Sequence, residues 1–152
     1  MAVDRSHDAL NNTQRARLEA FLKGQSDADL ERPLPAGWTV AGVLAHIAFW
    51  DQRAFLLLDE WEKTGKAPKA LDEAAGAIDW INDASKPMFL AMPPRRAAEL
   101  TLSIARATDA KIAELRDDLI EKNKAAGTPV SLDRAAHRRE HLDEMESALK
   151  RR

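Results

Sequence analysis

From Val40 to Thr64 the chain runs for 25 residues without proline and with helical periodicity throughout, and this stretch restricts the fold more than any other. At 100° per residue, Val43, Ile47, Trp50, Ala54, Leu57 and Trp61 fall on one stripe. His46 lies along its margin, with Arg53 beyond it. Thr39 precedes the run as an N-cap, and Gly65 followed by Pro68 ends it. A helix this long and this apolar on one side must lay that side against other helices.

The remaining segments supply them. Leu10, Leu18, Phe21 and Leu22 predict a first helix over Ser6 to Lys23, stopped at Gly24. Gln25 to Trp38 carries Pro33, Pro35 and Gly37 and reads as an ordered loop. Beyond a linker from Lys66 to Glu73, a third helix is expected over Ala77 to Met92, kinked or divided at Pro87. A fourth is expected over Arg95 to Asn123, on the repeat Leu100, Ile104, Ile112, Leu115 and Leu119. It finishes before Gly127-Thr128-Pro129, after which Ser131 caps a fifth segment, Leu132 to Leu149. Nowhere do β-branched or aromatic residues alternate as in a half-buried strand, so no sheet is assigned. The expectation is a single all-α domain over residues 1–152, a four-helix bundle in which a shorter or bent helix completes the set of long ones.

Composition narrows the function classes. The net charge of -2 and the absence of a long basic run argue against nucleic acid; Arg95-Arg96, Arg138-Arg139 and Lys150-Arg151-Arg152 read as solvated helix faces and ends. Without cysteine the chain has no disulfide, thiolate ligand or cysteine nucleophile of its own. The first ten residues lack a signal-like apolar stretch and no later window suggests a membrane span, so the expected address is cytoplasmic.

Four histidines occur, and His137-x-x-x-His141 places two imidazoles one turn apart on one side of a helix, able to share a divalent ion. Val130, Met145 and Ala148 share that side. His46 is the natural third ligand, and three histidines leave metal positions open, as in a catalytic site. Taken singly, each signal also has an ordinary reading. The pair can arise by accident, His46 suits a hydrogen-bonded histidine at the core edge, and His7 reads as a surface residue near the N-terminus. Arg138 stands where a zincin would carry glutamate, so that protease class is excluded. Glu144, one turn past His141, can orient a histidine or relay a proton, or can be a solvated carboxylate. Trp38 and Trp50 can wall an apolar pocket, although plain core is the readier reading of Trp50, and Arg53 can meet a substrate carboxylate. Asp79 and Asn82 can add polar contacts; otherwise Asp79 caps the third helix and Asn82 is solvated.

Gly37-Trp38-Thr39-Val40, then Val43-Leu44-Ala45-His46-Ile47-Ala48 and Trp50-Asp51, resembles the first-histidine region of the DinB-like four-helix bundle superfamily, which includes the mycothiol-dependent maleylpyruvate isomerase N-terminal domain. Ala136-His137 through Glu140-His141-Leu142 looks like that family's late histidine pair. Ile78-Asp79-Trp80-Ile81-Asn82, together with Leu142-Asp143-Glu144 after the last histidine, is similar to its ClbS/DfsB-like branch. The resemblance implies an antiparallel four-helix bundle, zinc, nickel or iron on His46, His137 and His141, and a homodimer. It also implies hydrolysis, or transfer or isomerisation dependent on a low-molecular-weight thiol, acting on a small molecule. The alternative it leaves is a metal-free hydrolase or a small-molecule binding or stress-response protein.

Overall fold

The computed structural model describes residues 2–69, 75–127 and 129–151. Seven helices follow in order: α1 Ser6–Lys23, α2 Asp27–Leu30, α3 Val40–Thr64, α4 Ala77–Ala91, α5 Pro94–Ala113, α6 Asp117–Ala125 and α7 Ala135–Lys150. Helices α1, α3, α5 and α7 close a ring in which α1 touches α5 and α7, and α3 touches the same two. This is the expected all-α four-helix bundle. Its antiparallel seams are α1 with α5, where Arg5 reaches Ala113 and Arg15 reaches Asp109, and α3 with α7, where Asp51 meets Arg134 and Arg138 while His46 meets His137 and His141. Along the other two seams the helices run the same way, because the crossover carrying α4 returns the chain before α5 begins.

The completing helix is α1. Helix α4 packs outside the ring, on α3, with only Ser85 and Phe89 buried and with Ile78, Trp80, Met88 and Leu90 exposed. Pro87 does not divide it: the helix continues through the proline, which is exposed together with Asp83, the residue whose carbonyl loses its partner. Where α4 crosses α3, a Cβ on Gly42 would lie 2.9 Å from a methyl of the exposed Leu90 side chain, which would have to turn aside.

Several expectations are corrected. The fourth segment is two helices, α5 and α6, broken at Glu114 to Arg116, although Ile112, Leu115 and Leu119 keep the apolar repeat and remain buried. Arg5 of the distant N-terminus holds the break: its guanidinium donates to the carbonyls of Ala113 and Leu115 and pairs with Asp117 at the start of α6. The last helix starts at Ala135, not Leu132, and Ser131 does not cap it; the Ser131 hydroxyl donates to the Asp133 carbonyl instead. Asn11 of α1 caps it from across the bundle, Oδ1 accepting from the amides of Arg134 and Ala135 while Nδ2 donates to Leu132 O. Buried Asn11 thus takes the inward place expected for Leu10, which is 47% exposed. The loop after α1 contains α2 and a two-stranded hairpin, Pro33–Leu34 (β1) against Trp38–Thr39 (β2), so the expectation of no sheet fails for these four residues. The hairpin tip places Ala36 and Gly37 at positive φ. The ring of His7, read as a surface group, is largely covered, with its side chain 12% exposed. Part of the expected linker, residues 70–73, and Thr128 lie outside the described residues.

A polar layer divides the core. On one side Leu18, Leu22, Leu44, Ile47, Leu142 and Met145 pack together, and on the other Ala54, Leu58, Trp61, Ile112 and Leu119. Between them Asp51, Asp109, Arg134 and Arg138 are buried. Among the described residues no helix is long and apolar enough to cross a membrane.

Candidate metal centre

His46 is delivered by α3, whose first turn is fixed by Thr39: its hydroxyl accepts the Gly42 amide at 3.0 Å. His137 and His141 come from α7, whose first turn is held by Asn11. The three imidazoles converge, His141 edge-on to the other two rings and His46 tilted against His137. His137 Nε2 lies 3.1 Å from His46 Nε2 and 3.2 Å from His141 Nε2, and the three ligand atoms fall within 4.8 Å of one another. Two imidazole nitrogens at about 2.0 to 2.1 Å from one ion would stand about 2.9 Å apart at a right angle and about 3.3 Å apart at a tetrahedral angle. The two contacts of His137 fall between those limits and the third pair lies within 4.8 Å, so the three rings form a group that could hold a divalent ion.

The protonation pattern agrees in part. Glu144 Oε2 stands 3.2 Å from His141 Nδ1, and a carboxylate can only accept, so that nitrogen carries a proton and, in the neutral ring, Nε2 is left as the donor atom for a metal. The Nδ1 atoms of His46 and His137 are buried without a partner among the described residues. Burial, reinforced by the charge of neighbouring His141, lowers the His46 pKa to about 4. His137 falls to about 3, first through burial and then through His141, His46, Arg134 and Arg138. Both rings are therefore neutral at physiological pH, the form that ligates a metal.

The cluster lies on the wall of a pocket of about 610 Å³, within the usual range for small-molecule sites. Trp38, from β2, meets the His46 ring edge-on at 5.7 Å between centroids, and Lys86 of α4 stacks over the same indole while donating to the Ala36 carbonyl. Trp50 lines the pocket and is half-buried, so the plain-core reading does not hold for it; its Nε1 donates to Asn82 Oδ1 at 3.0 Å and ties α4 to α3. Asn82, Glu140 and Glu144 line the pocket as well. Arg53 does not. It lies over the outer side of Trp50, 5.5 Å from the ring centroid, and faces a second pocket of about 280 Å³. Asp79 is exposed and, among the described residues, caps nothing; α4 begins at Ala77, after Gly76, without a side-chain cap.

The buried charge network behind the histidines is absent from the sequence reading, which placed Arg138 on a solvated face. Arg138 is fully buried. It donates Nε to Asp51 Oδ2 at 3.0 Å and grips Asp109 through both terminal nitrogens at 2.9 and 2.8 Å. Desolvation opposes its charge, but the hydrogen bonds and charges of Asp109 and Asp51 prevail and its pKa is raised. Arg134 Nε donates to Asp51 Oδ1, and Arg15 Nη1 to Asp109 Oδ2. A usable signal was present: Asp51 follows Ile47 by four residues and precedes Ala54 by three, and Asp109 sits likewise between Ala105 and Ile112. Both are core positions carrying a carboxylate.

No curated protein and no solved structure matches this chain. A family model described as DinB superfamily matches residues 10–146, a span that holds all three histidines, both network aspartates and Asn11. The chain belongs to the DinB superfamily.

Proposed function

We propose that this protein is a metal-dependent enzyme acting on a small molecule, with His46, His137 and His141 as the ligands of one divalent ion. The observation that carries this reading is the convergence of the three imidazoles on the wall of an indole-lined pocket. A divalent ion held there would bring bound water to a pKa of about 7, or deprotonate a coordinated thiol, so it serves hydrolysis and thiol-dependent transfer or isomerisation alike.

The chain's own groups have separable roles. Glu144 orients His141 through Nδ1 and, being partly exposed in the pocket, can relay a proton to solvent. Trp50 and Trp38 cover the apolar part of a substrate, and Asn82 fixes the Trp50 indole. The metal in this proposal is zinc, nickel or iron, as imidazole donors suit all three. Measuring bound metal on protein purified without a histidine tag tests the reading. The expected result is close to one equivalent for the wild type after reloading and under about a tenth for His46→Ala, and a wild type that stays below a tenth overturns it.

One observation favours a second reading, in which a metal-free ClbS/DfsB-like protein uses the histidines as acid and base or to bind its ligand. The Nδ1 atoms of His46 and His137 lack the acceptor that usually supports a metal-bound imidazole. The same metal measurement separates the two.

A further inference from the structure

The network behind the histidines holds three guanidinium groups, Arg15, Arg134 and Arg138, against two carboxylates, Asp51 and Asp109. One positive charge is left over. Arg138 is saturated, with every nitrogen bonded to an aspartate. Arg134 is not: only its Nε has a partner, Asp51 Oδ1 at 2.9 Å. Its two terminal nitrogens bond to no other described residue, yet neither is sealed from solvent, although the side chain as a whole is only 10% exposed. The small accessible part of Arg134 thus opens onto the pockets it lines, and the first of these is the histidine pocket.

We propose that Arg134 is the anion subsite of this pocket and seats the carboxylate of a small substrate one helical turn from His137. This deepens the proposed function and rests on its reading of the pocket as the substrate site. Residues three apart on a helix have Cβ atoms about 5 to 6 Å from each other, so a carboxylate on Arg134 leaves the next few atoms of the molecule beside His137 and His141. Arg134 is the one permanent cation among the described lining residues. Asp51, by occupying Nε, fixes the plane of the guanidinium and leaves its outer edge for a bidentate partner. Glu140 and Glu144 lie farther along α7, about 9 and 15 Å by helical rise, so they repel an anion from the opposite end and favour one orientation. The apolar wall of Trp38 and Trp50 suits a flat hydrocarbon body, and together these features describe a small, apolar monocarboxylate.

Benzoate and benzyl alcohol, which share the ring and differ in the charged group, are suitable probes. They are titrated into metal-free protein, where no ion can capture the carboxylate, and binding is followed through the NMR signal of the Trp50 indole N–H. The wild type is expected to prefer benzoate by about tenfold or more, as for a charge-assisted bidentate contact. In Arg134→Gln the preference should fall below about threefold with benzyl alcohol affinity unchanged, whereas Arg53→Gln should keep it. Arg134→Lys, which retains the charge for Asp51, serves if the glutamine variant fails to fold; its single ammonium lacks the fork, and the preference should fall likewise. A preference that survives either Arg134 substitution, or its absence in the wild type, overturns the subsite. Zinc uptake by equilibrium dialysis is measured beside it. No uptake with an intact, Arg134-dependent preference removes the metal reading alone, and normal uptake without the preference removes the subsite alone.

Discussion

Arg138 donates Nε to Asp51 Oδ2 at 3.0 Å inside the bundle, joining the residue after His137 to the residue five beyond His46. The clustered histidines on α3 and α7 are thereby held in register by a buried ion pair next to them, and Asp109 adds α5 to the same clamp.

Removing one side of that clamp leaves buried charge uncompensated. Asp51→Ala should destabilise the protein by about 3 to 5 kcal/mol, because both Arg134 and Arg138 lose their shared carboxylate. Urea denaturation followed by circular dichroism measures this. A loss under about 1 kcal/mol would show that water compensates the guanidinium groups and that the clamp does not set the register.

Bound metal should stabilise the folded state by mass action. With zinc at about a hundred times its dissociation constant the gain is about 2.7 kcal/mol, seen as a rise in melting temperature. His46→Ala should show almost none of that rise. An equal rise in the variant would place the ion elsewhere.

Glu144 reaches the histidine cluster through its contact with His141 Nδ1 at 3.2 Å. Glu144→Gln keeps the size but replaces a charged acceptor with a weaker one, and metal affinity in chelator competition should fall by about tenfold or more. Unchanged affinity would assign Glu144 to solvent.

Acid should unfold the metal-free protein through its histidines. An unfolded histidine takes up a proton below about pH 6.5, whereas folded His46 does so only below about 4 and folded His137 only below about 3. In between the unfolded state binds more protons, so stability present above pH 6.5 is lost as pH falls toward 3. Each unit of depression is worth about 1.4 kcal/mol. Melting temperatures between pH 7 and 4 should therefore drop, and His137→Gln should flatten the slope. An identical slope in that variant would assign the acid sensitivity to other groups.

Much of this was legible in the order of residues. The periods of α1 and α3, the stops at Gly24 and Gly65, and the Thr39 cap are local properties, set by contacts within about one turn of helix, and the structure keeps them. The i, i+4 spacing of His137 and His141 fixes their common side for the same reason. That His46 should join them was an inference from its place beside the apolar stripe and from the resemblance to a family.

What lay beyond local chemistry was read less well. The break between α5 and α6 depends on Arg5, more than a hundred residues away, and the start of α7 depends on Asn11. Arg138 looked like a charge for the solvent, and Asp51 and Asp109 were given no place in the core, because a charged side chain is at home in solvent unless its partners arrive from other helices. Trp50 left the core, and Arg53 left the histidine pocket, once α4 had packed on α3.

By itself, then, the sequence determined that this chain is helical, where its main helices run, and which histidines share a face, since backbone periodicity and capping need only near neighbours. The tertiary structure alone decided that three imidazole nitrogens meet at one point, which charges are buried behind them, and which arginine opens toward the pocket. Those are distances between residues about ninety positions apart, and they exist only after the helices have packed.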